Sequence, residues 1–297
     1  MIKRETGMEK TVKIKVMGLL YLVILLFGAA IALFFHRIFK YNLLIAIGIV
    51  LVAAVPVTYV IFKIMMSREK NKPYSKIYSE FRKELFTNGY TERFFELSEQ
   101  AISAYKNGEK IDQVYLREFV LYAVDYYNAT GKYDKSLELI RLLDENSFTA
   151  KSTIYMDHGM SALTYYGSLM EICRGLNDKG SAINLLERAK PIMDMNHKHE
   201  VFNMYVDNIY YTYYMLIENF DRAGEYADKL ASYTSPDSAR FFTRYIVEAE
   251  YKLHQGKRQE AIEAYKKMES LIEGEQKKIL EFYYSVYAER LGIKAEI

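Results

Sequence analysis

The sequence predicts an all-α protein: an N-terminal transmembrane helical hairpin, then an α-solenoid of about five helix pairs closed by a C-terminal capping helix. Three observations predict it. Residues 16–35 and 43–62 are apolar runs without a single Asp, Glu, Lys, Arg or His. From Lys76 to Leu291, apolar residues recur at three- and four-residue spacing, interrupted only by Pro191 and Pro236, which is the period of amphipathic helices. The breaks between these stretches themselves recur, at intervals of 38 to 46 residues, as in an array of structural repeats.

The hairpin comes first. Each run is twenty residues long, and at about 1.5 Å rise per residue this matches a hydrocarbon layer roughly 30 Å thick. The expected order is a basic N-terminus over 1–15, a first span over 16–35, a short external turn over 36–42, a second span over 43–66 and a basic juxtamembrane linker over 67–75. Lys and Arg in short loops are retained on the cytoplasmic side. Five precede the first span, and Lys63, Arg68, Lys70, Lys72 and Lys76 follow the second apolar run, so both termini are expected in the cytoplasm. The rival reading is a cleaved signal peptide at Ala30-Ile31-Ala32; against it, Leu33-Phe34-Phe35 continues the apolar run past that site.

Small residues recur in both runs, at Gly28, Ala29, Ala30 and Ala32 and at Ala46, Gly48, Ala53 and Ala54, and allow close helix approach in lipid. The same faces suit a homo-oligomer of hairpins. Pro56 should kink the second span. With no ionisable group inside either run, these helices alone offer no ion path or proton relay. The partner implied for this part is the lipid bilayer.

The net charge of +2 conceals two opposite parts. Residues 1–66 hold eight Lys and Arg against two Glu, or +6, and the remainder holds 32 basic and 36 acidic residues, or −4. A mildly acidic domain without a basic block argues against nucleic acid as a partner. The single Cys173 excludes an internal disulfide and fits a reducing compartment.

The helical array follows over 76–297. Val114, Phe119, Val120, Ala123, Tyr126 and Tyr127 mark one apolar helix face. Its breaks are Asn88-Gly89-Tyr90, Gly131-Lys132-Tyr133, Asn177-Asp178-Lys179, Asn219-Phe220-Asp221 and Gly256-Lys257-Arg258. Taking Arg93, Ser136, Ala182, Ala223 and Ala261 as equivalent gives spacings of 43, 46, 41 and 38, hence five helix-turn-helix units. Gly or Asn at the end of a first helix accepts the left-handed cap conformation, and a small residue soon after lets the second helix approach the first. Glu275 to Leu291 has no second helix after it and reads as the cap of the array.

Gly131, Tyr133 and Ser136, and Gly256, Arg258 and Ala261 with Ala264 and Tyr265, resemble the second-helix signature of the tetratricopeptide repeat family. The resemblance covers roughly residues 76 to 292, with periods longer than the family's length of about 34, which lengthened first helices would absorb. It implies a concave surface lined by first-helix residues. Counting back from the small positions puts Asp125 and Asn128, Glu171 and Arg174, Tyr205 with Asn208 and Thr212, and Glu250 near that groove, as polar groups able to clamp a peptide backbone or a terminal carboxylate. Arg174 would be its one strong anion partner.

Signals for chemistry are sparse. His197 and His199 are the only close histidine pair, and a two-residue spacing on a helix turns the rings to different faces. There is no glycine-rich phosphate loop, nucleophile elbow or paired-carboxylate motif, so no cofactor, metal site or catalytic residue is expected. Cys173 lies among Met170, Ile172 and Leu176, which suits a buried structural thiol. The 28 tyrosines, with no Trp, read mainly as large core residues whose hydroxyls reach the surface, and secondly as interface contacts. The functional expectation is a non-enzymatic, membrane-anchored cytoplasmic adaptor that binds a protein or peptide partner through its repeats. The alternative is a structural accessory subunit of a multi-pass membrane complex.

Overall fold

The computed structural model describes residues 74–148, 156–196, 200–233 and 238–296, together with Arg37, Tyr59, Val60, Lys63, Ile64, Ser67 and Arg68. The chain divides into two compact units, Met1–Ser75 and Lys76–Ile297. No helix among the described residues is long and apolar enough to cross a membrane. The basic segment 1–15, the first span 16–35 and most of 36–66 lie outside the described residues; Arg37, Tyr59, Val60, Lys63 and Ile64 are helical and exposed.

In the second unit the described residues form eleven α-helices and no strand. They are α1 (Ser75–Asn88), α2 (Glu92–Lys106), α3 (Gln113–Ala129), α4 (Tyr133–Ile140), α5 (Met156–Gly175), α6 (Lys179–Asn196), α7 (Glu200–Leu216), α8 (Phe220–Ser232), α9 (Ser238–His254), α10 (Arg258–Lys266) and α11 (Lys277–Arg290). Ten of them form five consecutive pairs in a repeat-like arrangement, and α11 stands last. Within the later four pairs the partners pack on each other, α3 on α4 through α9 on α10, and a second helix also meets the next first helix, as α2 meets α3 and α8 meets α9.

The turns explain the pairing. In the last four pairs one residue takes a positive φ, at Gly131, Asn177, Glu218 and Gly256. The next N–H reaches back to a carbonyl five residues earlier: Lys132 to Tyr127 at 2.8 Å, Asp178 to Cys173 at 2.8 Å, Asn219 to Tyr214 at 3.0 Å and Lys257 to Lys252 at 2.9 Å. This is the Schellman closure, which satisfies carbonyls that a helix end leaves open. Five residues beyond each positive φ lies Ser136, Ala182, Ala223 or Ala261, none with any exposed surface, and there the two helices touch. In the fourth turn Glu218, not Asn219, carries the left-handed backbone, and the Asn219 side chain instead accepts the N–H of Arg222 as the cap of α8.

The first helix pair departs from the expected register. Gly89 closes α1 by a single bond to Leu85 O, and Thr91 caps α2 by accepting from Phe94 N. The N–H that bonds back to the cap residue is that of Phe95, to Thr91 O, so Arg93 is not the counterpart of Ser136. Its side chain is exposed and paired with Glu80 and Glu96, because the turn here is one residue longer. Val114, assigned to the apolar face of α3, is also exposed, in the first turn of its helix, whereas Phe119, Val120 and Ala123 are buried.

Aromatic packing fills the early core: Phe81 lies 4.9 Å from Phe94 and 4.7 Å from Phe119, ring centre to ring centre. Tyrosine serves as a core residue with its hydroxyl satisfied. Tyr265 is fully buried and donates to Tyr284 O. Residues Leu280 and Ala288 of α11, with Ile293 beyond it, join Phe242, Ala249, Ala261 and Met268 in one buried cluster. The cap thus seals the fifth pair, and α11 also meets α3, far away in sequence.

Candidate functional site

Helices α3, α5, α7, α9 and α11 bring polar side chains together, although their positions along the chain are widely separated. The heptad-like offsets within each helix place these groups on one face, since residues three and four apart are neighbours there. On α3 these are Asp125 and Asn128; on α5, Ser168, Glu171 and Arg174; on α7, Tyr211; on α9, Glu250; on α11, Arg290.

Arg174 and Glu250 form a two-pronged pair, Nη1 to Oε2 at 3.0 Å and Nη2 to Oε1 at 2.7 Å, the geometry in which a guanidinium binds a carboxylate most strongly. The Tyr211 hydroxyl donates to the same Oε2 at 2.9 Å. Burial opposes the charge of Glu250, but Arg174 and this hydroxyl outweigh it and hold the carboxyl below its usual range. A second pair lies alongside: Arg290 Nη2 donates to Glu171 Oε1 at 2.7 Å, and Arg290 Nη1 reaches Asn128 O at 3.5 Å. The Tyr133 ring faces both, with the Arg290 guanidinium 5.9 Å from its centre, and it senses Glu171, Arg174 and Glu250.

Asp125 differs from these acids. Its neighbours are the Ser168 hydroxyl, which donates at 3.3 Å, and Glu171, a like charge. Burial pushes its pKa up to about 7, Glu171 adds to the rise, and the Ser168 hydrogen bond only partly counteracts it. Asn128 is buried, with Nδ2 donating to Ser168 O at 3.2 Å and Oδ1 enclosed without a hydrogen-bond partner.

Of the eight expected groove residues, five therefore fall in two electrostatically coupled groups, Asp125, Asn128 and Glu171 with Ser168 and Arg290, and Arg174 and Glu250 with Tyr211. The other three lie on α7. Thr212 is buried and its hydroxyl bonds to Asn208 O, on its own helix. Asn208 and Tyr205 are half-buried on the same helix, Tyr205 near enough to Tyr122 to raise the pKa of that phenol. Sequence reasoning missed Arg290, Tyr211, Tyr133 and Ser168. Arg290 could have been found from α11 itself, where Phe282, Tyr283, Tyr287 and Arg290 make a second stripe beside the aliphatic stripe of Leu280 and Ala288. Arg174 already has a carboxylate, so an incoming anion would have to compete with Glu250 for it.

Among the described residues no group of three or more His, Cys, Asp and Glu is arranged to hold a metal ion; His197 and His199 lie outside them. Cys173 is buried, and burial, reinforced by Asp178, pushes its thiol up to about 11, which leaves little thiolate for nucleophilic chemistry. No family model matches the chain, and neither does a curated protein or a solved structure.

Proposed function

We propose that the chain is a membrane-anchored, tetratricopeptide-like adaptor: an N-terminal two-span hairpin fixes it in the bilayer, and its cytoplasmic helix pairs capture a protein or peptide partner. The observation that carries this reading is the convergence of Asp125, Asn128, Glu171, Arg174 and Glu250 from three first helices into two electrostatically coupled polar groups. Polar groups offered from stacked helices suit recognition of a peptide backbone and its charged ends. Tethering gives such a surface a task without chemistry, because a partner held at the bilayer gains local concentration.

The test is crosslinking of the full chain in intact membranes from a photoreactive residue at position 208, with the Asp125→Ala/Glu171→Ala variant as comparison. A discrete partner, lost in the variant, supports the reading. A crosslink pattern unchanged by the variant removes the groove from it. Digestion of the region beyond Ser67 by protease outside sealed cells would overturn the orientation.

The Arg174–Glu250 pair favours a second reading, the accessory subunit. It joins α5 to α9 within the chain and stiffens the array as a brace would be stiffened. Exchange of residues 1–66 for an unrelated two-span anchor separates the two: an adaptor keeps its function, and a subunit that needs its own spans loses it.

A further inference from the structure

Helix α11 has two unlike faces on two unlike partners. Its aliphatic face, Leu280 and Ala288, is buried against the fifth pair. Its flank with Phe282, Tyr283, Tyr287 and Arg290 reaches the first three pairs, and Tyr283 and Tyr287 pack against the fifth-pair cluster as well. The Phe282 ring stacks on Tyr126, centres 5.2 Å apart and planes at 20°, and lies 4.7 Å from Tyr90. The Tyr283 and Tyr90 hydroxyls are 2.8 Å apart. Arg290 supplies the Glu171 ion pair. At the N-terminal end of α11, a Cβ added at Gly89 would sit 3.3 Å from Lys278 Cβ.

These second contacts differ in kind from the first. The aromatic rings are half-buried, and the Arg290 and Glu171 side chains keep 27% and 21% of their surface, so water recovers part of the cost of parting them. The segment before α11 is irregular: two short 3₁₀ turns, Lys267–Leu271 and Gly274–Gln276, flank an extended Glu273, and Gly274 has a φ of +71°.

We propose that the face formed by Tyr90, Tyr126, Asn128 and Glu171 is a docking site for a helix of a partner protein that presents an aromatic pair and, seven or eight residues later, an arginine. In this chain α11 occupies that site in cis, as a clasp that a partner helix must displace. The chemistry of α11 itself defines the occupant: stacking rings for Tyr90 and Tyr126, a guanidinium for Glu171 and the carbonyl of Asn128. A cis segment competes at an effective concentration on the order of millimolar, so the site is masked until the clasp is broken. This inference rests on the adaptor reading and specifies the partner and control of the same surface.

The experiment uses the full chain in detergent micelles and a fluorescein-labelled synthetic peptide of residues 277–291, read by anisotropy. The clasp variant Tyr283→Ala/Arg290→Glu should bind the peptide at least about ten-fold tighter than the unchanged chain, since the cis competitor is removed. Adding Glu171→Arg to it should undo that gain, and a peptide carrying Arg290→Glu should restore it. Gly89→Cys/Lys278→Cys in a Cys173→Ser background provides a lock, because its Cβ atoms approach the separation of a disulfide, about 3.5–4.5 Å. The oxidised lock should bind the peptide at least about ten-fold more weakly than the same protein reduced, a comparison within one polypeptide that does not depend on the clasp variant folding. Equal binding by oxidised and reduced lock overturns the proposal. So does a well-folded clasp variant that binds no better than the unchanged chain. If locked and unlocked chains crosslink the same membrane partner equally, the adaptor reading stands and the clasp falls. If neither captures a partner, the adaptor reading falls, while the peptide measurements still decide the clasp.

Discussion

Arg174 on α5 grips Glu250 on α9 across 76 residues of sequence, with both carboxylate oxygens engaged and a tyrosine hydroxyl on one of them. The pair connects the third helix pair to the fifth. Removing one partner leaves the other charge partly buried and alone, which costs about 3–5 kcal/mol in a closed interior; with 22% of each side chain exposed, water recovers part of that. Glu250→Ala should therefore destabilise by about 2 kcal/mol, and Arg174→Met/Glu250→Leu by less than either single change. Thermal unfolding of the full chain in micelles, followed by circular dichroism, measures both. A double variant as damaged as the sum of the singles would mean that the two residues do not act as a pair.

Asp125 sets a pH dependence of the opposite kind to Glu250. Its carboxyl is raised in the folded protein, from 3.8 to about 7, so the folded state holds a proton that the unfolded chain releases. The contribution to stability is complete below about pH 4 and is lost as pH rises through 7. The groups that surround it are Ser168 and Glu171 on α5, Tyr122 on α3, Tyr90 in the first turn, and Tyr283 and Tyr287 on α11. Burial, with the like charge of Glu171 and no cation among these groups, is why the charge is resisted. Asp125→Asn should gain stability relative to the unchanged chain by on the order of 2–3 kcal/mol between pH 5 and pH 8. A stability difference that does not vary between pH 5 and 8 would show that Asp125 is ionised throughout.

Gly224 on α8 faces Tyr251 on α9. A Cβ at Gly224 would overlap the Tyr251 hydroxyl and lie 2.9 Å from its Cζ, and the hydroxyl is held by Phe220 O at 3.2 Å. Gly224→Ala should destabilise by about 1–3 kcal/mol through overpacking, although alanine is the better helix former. Tyr251→Leu, which clears the space, should make Gly224→Ala neutral or stabilising. If Gly224→Ala raises the melting temperature with Tyr251 intact, the two helices are farther apart than described.

Much of this architecture was legible in the chain, because its signals are local. The caps at Gly131, Asn177 and Gly256 and the small residues Ser136, Ala182, Ala223 and Ala261 each act within a few residues, so spacing alone located four helix pairs. The first pair was misaligned at Arg93 for a local reason as well: one extra residue in its turn shifts the register, and nothing in the composition reports it. The site was half legible. Counting positions found five of its residues, since the first-helix faces repeat. Which acid takes which base was not, because Arg174–Glu250 and Arg290–Glu171 span 76 and 119 residues and depend on how far the array curves. The tyrosines were legible as core residues, but not the stacking of Tyr126 on Phe282, which again requires the cap to reach the beginning of the domain.

Cys173 tests whether this domain has any nucleophilic chemistry. It is buried on α5, one residue before Arg174, yet that cation is turned to Glu250, and burial with Asp178 nearby raises the thiol to about 11. An ordinary cysteine near 8.5 is about one-quarter thiolate at pH 8, whereas one at 11 is about a thousandth, and access is restricted as well. Reaction with a disulfide reagent such as Ellman's should therefore be at least about a hundred-fold slower in the native chain than in guanidinium. It should also accelerate on warming only as the domain opens. Rapid stoichiometric labelling in the folded state would mean an exposed, activated thiolate, and the recognition reading would then have to give way to a catalytic one. Arg188, the one positive charge found to draw that thiol down, would be the first residue to replace in that event.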